Sequence, residues 1–398
     1  MTIAYMNALK NTRLSLLDLV AVREGGTVAE ALQIALRTAQ HAEQLGFSRY
    51  WLAEHHNMPG IASSATAVLV GHIAGGTERI RVGSGGIMLP NHAPLVVAEA
   101  FGTLAELYPG RIDLGLGRAP GTDQATMRAL RRSKVENEED FPRDVMELQT
   151  LLGPLQPGQK LVAMPGADTH VPIWLLGSSL YSAQLAAHMG LPYAFASHFA
   201  PRYLLDAIAL YRSTFKPSAT LAQPYVVIGV PLIAAPTDDE AQFLASSIYQ
   251  RVLGIVTGKR GLLQSPIPGY LETLNEQERQ AIAEFLAAAV IGGPDTVRAG
   301  LQALAEQVYV RQHLVFARAV CAVQYQRRHK AHAAQRGGLL VIGSHLVPAM
   351  HNGPGLGTQP IGRILRKSVR RFPRGRRWRS SPQQARTHPS GTRFGRPS

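Results

Sequence analysis

WLAEHHN (residues 51–57), RVGSGGIMLP (residues 81–90) and GRIDLGLGRAPGTD (residues 110–123) are three pieces of one stretch whose reading decides the fold. Each begins as an apolar run of strand length and breaks, at its C-terminal end, into residues that chemistry uses. The first delivers Glu54, His55 and His56, the second Gly85 and Gly86, the third Arg118. A fold that sets successive strand ends around one mouth brings an acid/base pair, a surface without side chains and a fixed cation together. A (β/α) barrel does this, because its sites are built at the C-terminal ends of its strands.

On either side of this stretch the chain alternates strand and helix patterns. Residues 13–20 read as a strand. Thr27 and Glu30 then form a capping box ahead of a helix with Ala31, Ala35, Ala39 and Ala42 along one face, which Gly46 ends. Strands are expected at residues 49–53, 80–88 and 111–116, with helices over 63–76 and after Pro94. Residues 118–140 read as a long loop before a helix ending near Leu152. Further strands are expected at 172–177, 193–197 and 225–235, each followed by a helix. The loop 260–270 interrupts the helices of 237–291, and a last clear helix covers 296–307. The eighth strand must follow that helix, and HLVFARAV (residues 313–320) is its apolar replacement. Parallel strands joined by crossover helices mean α/β, and eight repeats favour a (β/α)8 TIM barrel with an atypical eighth βα unit.

Composition divides the chain. Residues 308–398 hold 18 Lys and Arg and no Asp or Glu, whereas residues 1–307 hold 23 basic and 27 acidic residues, so the overall charge of +14 comes wholly from the C-terminal part. A barrel domain is therefore expected over 1–320. An Arg/Pro/Gly-rich tail over 321–398 falls out of periodic register from about residue 308 and is expected to be disordered. Its cluster RKSVRRFPRGRRWRSS (residues 366–381) reads as a basic arm for nucleic acid or an anionic membrane surface. The competing reading is a segment under no folding constraint, such as GC-rich codons read out of frame. The single cysteine, Cys321, excludes an internal disulfide. No apolar run reaches the roughly 20 residues of a membrane span, and the first residues lack the pattern of a secretory signal. A cytoplasmic protein is expected.

The chemistry-bearing residues each have a plainer reading. In Glu54-His55-His56-Asn57 an imidazole can move protons at neutral pH while a carboxylate fixes its tautomer. The plainer alternative is a capped strand end with a hydrogen-bonded histidine. Without HExxH spacing or a Cys/His cluster, no metal is expected. Gly85 and Gly86 inside a strand mark a bulge, a close approach to a ligand, or tight contact with a neighbouring helix. Gly115 and Gly117 repeat the pattern and would leave room for a flat ring system. Arg118 and the SSLYS turn (residues 178–182) suit a phosphate, through guanidinium donors and a serine-rich helix start. Ser178 and Ser179 serve equally well as an N-cap.

Together these pieces resemble the bacterial luciferase-like, flavin-dependent monooxygenase family, over roughly residues 14–307 and most densely over 51–123. The resemblance implies that His55 does acid/base work near a flavin with Glu54 beside it, and that Gly85-Gly86 forms a non-proline cis peptide facing the flavin. It also implies that Arg118 and Ser178 hold the flavin phosphate, with Tyr181 and Ser182 on the same turn. His56, His198, Phe199 and the loop 260–270 are the candidate walls of a substrate pocket. The family's reactive cysteine is Gly117 here, so nothing depending on that thiol carries over. The implied cofactor is FMN, reduced by a separate flavin reductase and used with O2 on a small organic substrate, in a homodimer. Two alternatives stand beside it: a deazaflavin enzyme on the same barrel, and an inactive barrel whose basic tail binds nucleic acid.

Overall fold

The computed structural model describes residues 9, 12–119, 123–130 and 140–308, together with the strand at 312–317. Strands β1 (Arg13–Asp18), β2 (Arg49–Leu52), β3 (Arg81–Met88), β4 (Ile112–Gly117), β5 (Ile173–Gly177), β6 (Tyr193–Phe195) and β7 (Val226–Ala234) pair in chain order, all parallel. A short β8 (Val290–Gly292) pairs with the end of β7. Strand β9 (Gln312–Ala317) then lies between β7 and β1, parallel to both, and closes the barrel. The replacement strand expected at 313–320 is thus the eighth barrel strand. The segment that would supply its following helix lies outside the described residues, as does the basic cluster 366–381.

The strands are nearly continuous apolar runs because both faces are covered. All six residues of β4 are buried, as are eight of nine in β7. Helices α1 (Val28–Gln44), α2 (Thr66–Gly75), α3 (Pro94–Leu107), α4 (Gln124–Leu130), α5 (Phe141–Leu152), α6 (Leu180–His188), α7 (Leu204–Thr214), α8 (Asp238–Val256), α9 (Glu276–Phe285) and α10 (Pro294–Gln307) connect them. Helix α1 starts as its sequence predicts: Thr27 Oγ1 accepts from the Glu30 amide at 3.2 Å, and Glu30 Oε2 accepts from the Thr27 amide at 3.1 Å. Gly46 turns the chain out of it at φ +80°.

One buried carboxylate gathers several donors from neighbouring strands. Asp113 of β4 is fully buried and accepts from Arg49 Nε at 2.9 Å, Arg81 Nη2 at 2.6 Å and Trp51 Nε1 at 3.2 Å. Arg49 also lies over the Trp174 ring, 4.9 Å from its centroid. Arg49, Arg81 and Asp113 occupy the N-terminal halves of their strands, the end of a barrel that serves stability.

Three expectations need correction. The loop 118–140 contains α4, nucleated by Asp123, whose carboxylate accepts from the Thr126 amide and hydroxyl, both at 2.9 Å. Helix α2 begins at Thr66 instead of Ser63, because Ser63 Oγ is drawn to the Leu19 carbonyl. Strand β8 was not expected. It forms because β7 overruns the barrel rim and leaves Leu232–Ala234 to be paired. Among the described residues no helix is long and apolar enough to cross a membrane.

Candidate active site

A cavity of about 380 Å³ opens at the C-terminal ends of the strands, within the range of small-molecule sites. Leu17 of β1 and Leu19 just past it line the cavity, with Ala53 and His55 from the segment after β2 and Gly85 and Met88 from β3. His198 and Phe199 follow β6, and Pro231 and Ile233 come from β7. His198 and Phe199 touch, their ring centroids 4.3 Å apart. A Cβ on Gly229 would stand 3.0 Å from His198 Nδ1, so that glycine makes room for the imidazole. The predicted pocket residues His198 and Phe199, and part of the loop 260–270, do meet in one cavity with His55.

The Glu54–His55 pair expected from the sequence is split in the segment that follows β2. Ala53 and His55 line the cavity, whereas Glu54 and His56 turn together to the other side. Glu54 is 1% exposed, and its Oε1 accepts from His56 Nε2 and His92 Nε2, each at 2.8 Å, while Oε2 accepts from the Met88 amide at 3.3 Å. Burial raises the Glu54 carboxyl, but the hydrogen bonds from His56 and then His92 outweigh it and bring it down to about 2. Glu54 is therefore an anion clamping two imidazoles by their Nε2–H groups. His56 does not line the cavity and was misplaced there on the sequence. His92 was missed; it stands in LPNHAP, past the short 3-10 turn Leu89–Asn91 that follows β3.

The Gly85–Gly86 peptide is cis, as the resemblance implied. The two glycines do different things. A Cβ on Gly85 would meet Leu17 Cδ1 at 2.6 Å and Trp51 Cβ at 3.1 Å, in the barrel interior beneath the cavity. A Cβ on Gly86 would meet the Gly115 carbonyl oxygen at 2.7 Å, on the neighbouring strand. Gly115 is packed against the Ser84 carbonyl, and a Cβ on Gly117 would meet Met88 Sδ at 3.0 Å. These two glycines let β3 and β4 approach and do not provide space for a ring, contrary to the expectation.

Arg118 follows β4, and its guanidinium lies 4.5 Å from the Tyr181 ring centroid, so the predicted Arg118–Tyr181 juxtaposition exists. Ser178 follows β5 directly. Ser179, not Ser178, is the N-cap of α6, in a capping box with Ser182. Ser182 Oγ donates to the Ser179 carbonyl at 2.7 Å and lies 2.9 Å from Tyr193 Oη. The Ser182 hydroxyl is thus spent on holding the turn, whatever the turn itself holds. Asn57 Nδ2 donates to Asp123 Oδ2 at 3.1 Å, tying the end of β2 to the segment after β4.

The fold is a (β/α)8 barrel with a cavity at the C-terminal strand ends. Residues 12–312 match the luciferase-like monooxygenase family, and the chain belongs to that family. Its relatives include the protein YvbT of Bacillus subtilis, 53% identical over 297 residues that make up 74% of this chain and 88% of that protein. A luciferase-like monooxygenase of Escherichia coli is 50% identical over 295 residues, 74% and 88% of the two chains. The crystal structure of apo-MsnO8 is 34% identical and superposes with a TM-score of 0.68 over 77% of this chain and 93% of that one. Two more distant barrels share the fold over 77% of this chain. One, at 18% identity and TM-score 0.57 over 91% of its own length, is the oxygenating constituent of 3,6-diketocamphane monooxygenase from Pseudomonas putida in complex with FMN. The other, at 14% and 0.56 over 93%, is an F420-dependent secondary alcohol dehydrogenase.

Proposed function

We propose that this chain is the oxygenating component of a two-component monooxygenase, using FMN reduced by a separate flavin reductase, with O2, on a small organic substrate. One observation carries the reading: adjacent strands β2, β3 and β4 bring His55, the cis Gly85–Gly86 peptide and Arg118 to one rim. The residues fit the cofactor. Gly85 presents no side chain beside an apolar cavity, and a fixed cation stands at the next strand end. Arg118 and Ser178 hold the phosphate, with Tyr181 stacking on the guanidinium, because a bidentate donor fork matches a phosphate better than a point charge does.

When bound, reduced FMN supplies the activation of O2, a step no side chain here can perform. His55 faces the cavity and holds or releases a proton at its imidazole. Glu54 sets the wall behind it by fixing His56 and His92. Leu17, Leu19, Met88, Pro231 and Ile233 exclude water. FMN is preferred over a deazaflavin on the residue match at Arg118 and Ser178.

A homodimer in the cytoplasm accompanies this proposal. Helices α2 and α3 pack together and leave Val68 72% and Val96 59% exposed, the apolar surface a second copy would cover. The enzyme reading is tested by anaerobic ultrafiltration with oxidised and reduced FMN and with a deazaflavin. Retention of FMN is expected; passage of both FMN forms into the filtrate refutes the reading, and retention of the deazaflavin alone replaces the cofactor.

A further inference from the structure

The cavity that takes His55 on one side is closed on the other by α8 and the segment after it. Helix α8 lines the cavity with Ile248, Gln250, Arg251, Val252, Gly254 and Ile255, of which Ile248, Arg251, Val252 and Ile255 are spaced i, i+3, i+4 and i+7, as a helix buries one stripe. One member of that apolar stripe is a cation. At the end of α8 Gly258 takes φ +72° and the chain turns back, bringing Lys259, Arg260, Leu262 and Gln264 to the cavity as well. This return is pinned. The Leu263 amide donates to the Val22 carbonyl at 2.8 Å, the Glu24 amide donates to the Leu263 carbonyl at 2.8 Å, and Gly60 packs on the Gly261 carbonyl.

The lining therefore has a definite polarity. Arg251, Lys259 and Arg260 are on it, and no Asp or Glu is among its residues. Lys259 and Arg260 follow the C-terminal end of α8 and would complement its dipole. Arg251 lies more than a turn inside the helix, on the same lining. A cavity that is apolar over most of its wall and carries cations without a carboxylate attracts an anion and offers hydrocarbon contact beside it.

We infer that the substrate of this enzyme is an amphiphile with an apolar body and an anionic end group, a carboxylate or a group of like charge, read by Arg251 with Lys259 and Arg260. The inference rests on reading the cavity as the substrate pocket of the proposed flavin enzyme. The same anion chemistry could come from the cofactor's phosphate, and the experiment separates the two. Octanoate and 1-octanol are titrated calorimetrically into the wild-type chain, with and without saturating FMN. Retention of FMN is measured separately by ultrafiltration. Octanoate is expected to bind about tenfold or more tightly than 1-octanol, with and without FMN, since a charge-assisted contact is gained. Arg251→Met should lower octanoate to the affinity of 1-octanol and leave 1-octanol unchanged; Lys259→Ala with Arg260→Ala, at exposed positions, should narrow the gap. Equal affinities for the wild type, failure of both probes to bind, or a preference that survives both variants overturns the inference. So does displacement of octanoate by FMN, which would assign the cations to the cofactor. Loss of FMN retention alone would defeat the flavin reading and leave the anion preference standing.

Discussion

Glu54 does not line the cavity, yet its carboxylate accepts from the amide of Met88, which does, and from His56 and His92 behind it. Its carboxyl titrates at about 2 in the fold, against about 4.3 in an unfolded chain. A lowered value contributes stability that is complete above the unfolded value and is lost as pH falls through the folded one. On the order of 3 kcal/mol is therefore expected to disappear between about pH 4.5 and pH 2. Denaturant melts of wild type and Glu54→Gln should show a stability difference that shrinks over that window; a constant difference would mean the clamp does not depend on ionisation. His55→Ala is expected to keep FMN binding and lose most turnover. Full activity in a reductase-coupled assay would reduce His55 to a structural residue. Arg118→Ala should weaken FMN by about 1.5 to 3 kcal/mol, as for the loss of a hydrogen bond to a charged group. An unchanged dissociation constant removes Arg118 from the site.

At the scale of elements, the order of strands and helices was legible because buried parallel strands are apolar throughout and their helices carry caps the sequence displays, as at Thr27. What was not legible follows from pairing between distant segments. Strand β8 exists only because β7 runs past the rim, and Gly115 and Gly117 are small because β3 presses on β4, not because a ligand does. The split of Glu54 from His55 arises past the end of β2, where only His55 of the two reaches the cavity lining. His92 joined the site from the segment after β3, which no local pattern linked to Glu54. The Asp113 cluster was equally invisible, since Arg49, Arg81 and Asp113 come from three strands. Asp113→Ala leaves two guanidinium groups facing each other in the barrel floor, and a loss of about 3 to 5 kcal/mol is expected in chemical denaturation. A loss below about 1 kcal/mol would show that water replaces the carboxylate.

For the whole molecule, the decisive strand is the one that follows the change in composition. Strand β9 supplies the neighbour that both β1 and β7 require, so the acidic body cannot close its sheet without residues from the basic part of the chain. A chain shortened after Val308 is expected to lose its cooperative thermal transition, because two strand edges are left unpaired. A chain shortened after Val320 is expected to keep it. If the shorter one melts as sharply as the full chain, closure by β9 is dispensable. The same contrast limits the nucleic-acid reading of the tail to residues beyond the barrel.

The chain has three tryptophans, and two of them, Trp51 and Trp174, meet edge to face with centroids 5.2 Å apart in the barrel interior. Trp51 also packs directly against Gly85, where a Cβ would stand 3.3 Å from its ring. Light emitted from that pair would be captured by any coloured ring lying over the glycine, so the protein carries its own optical gauge of occupancy, readable without a label or a turnover assay.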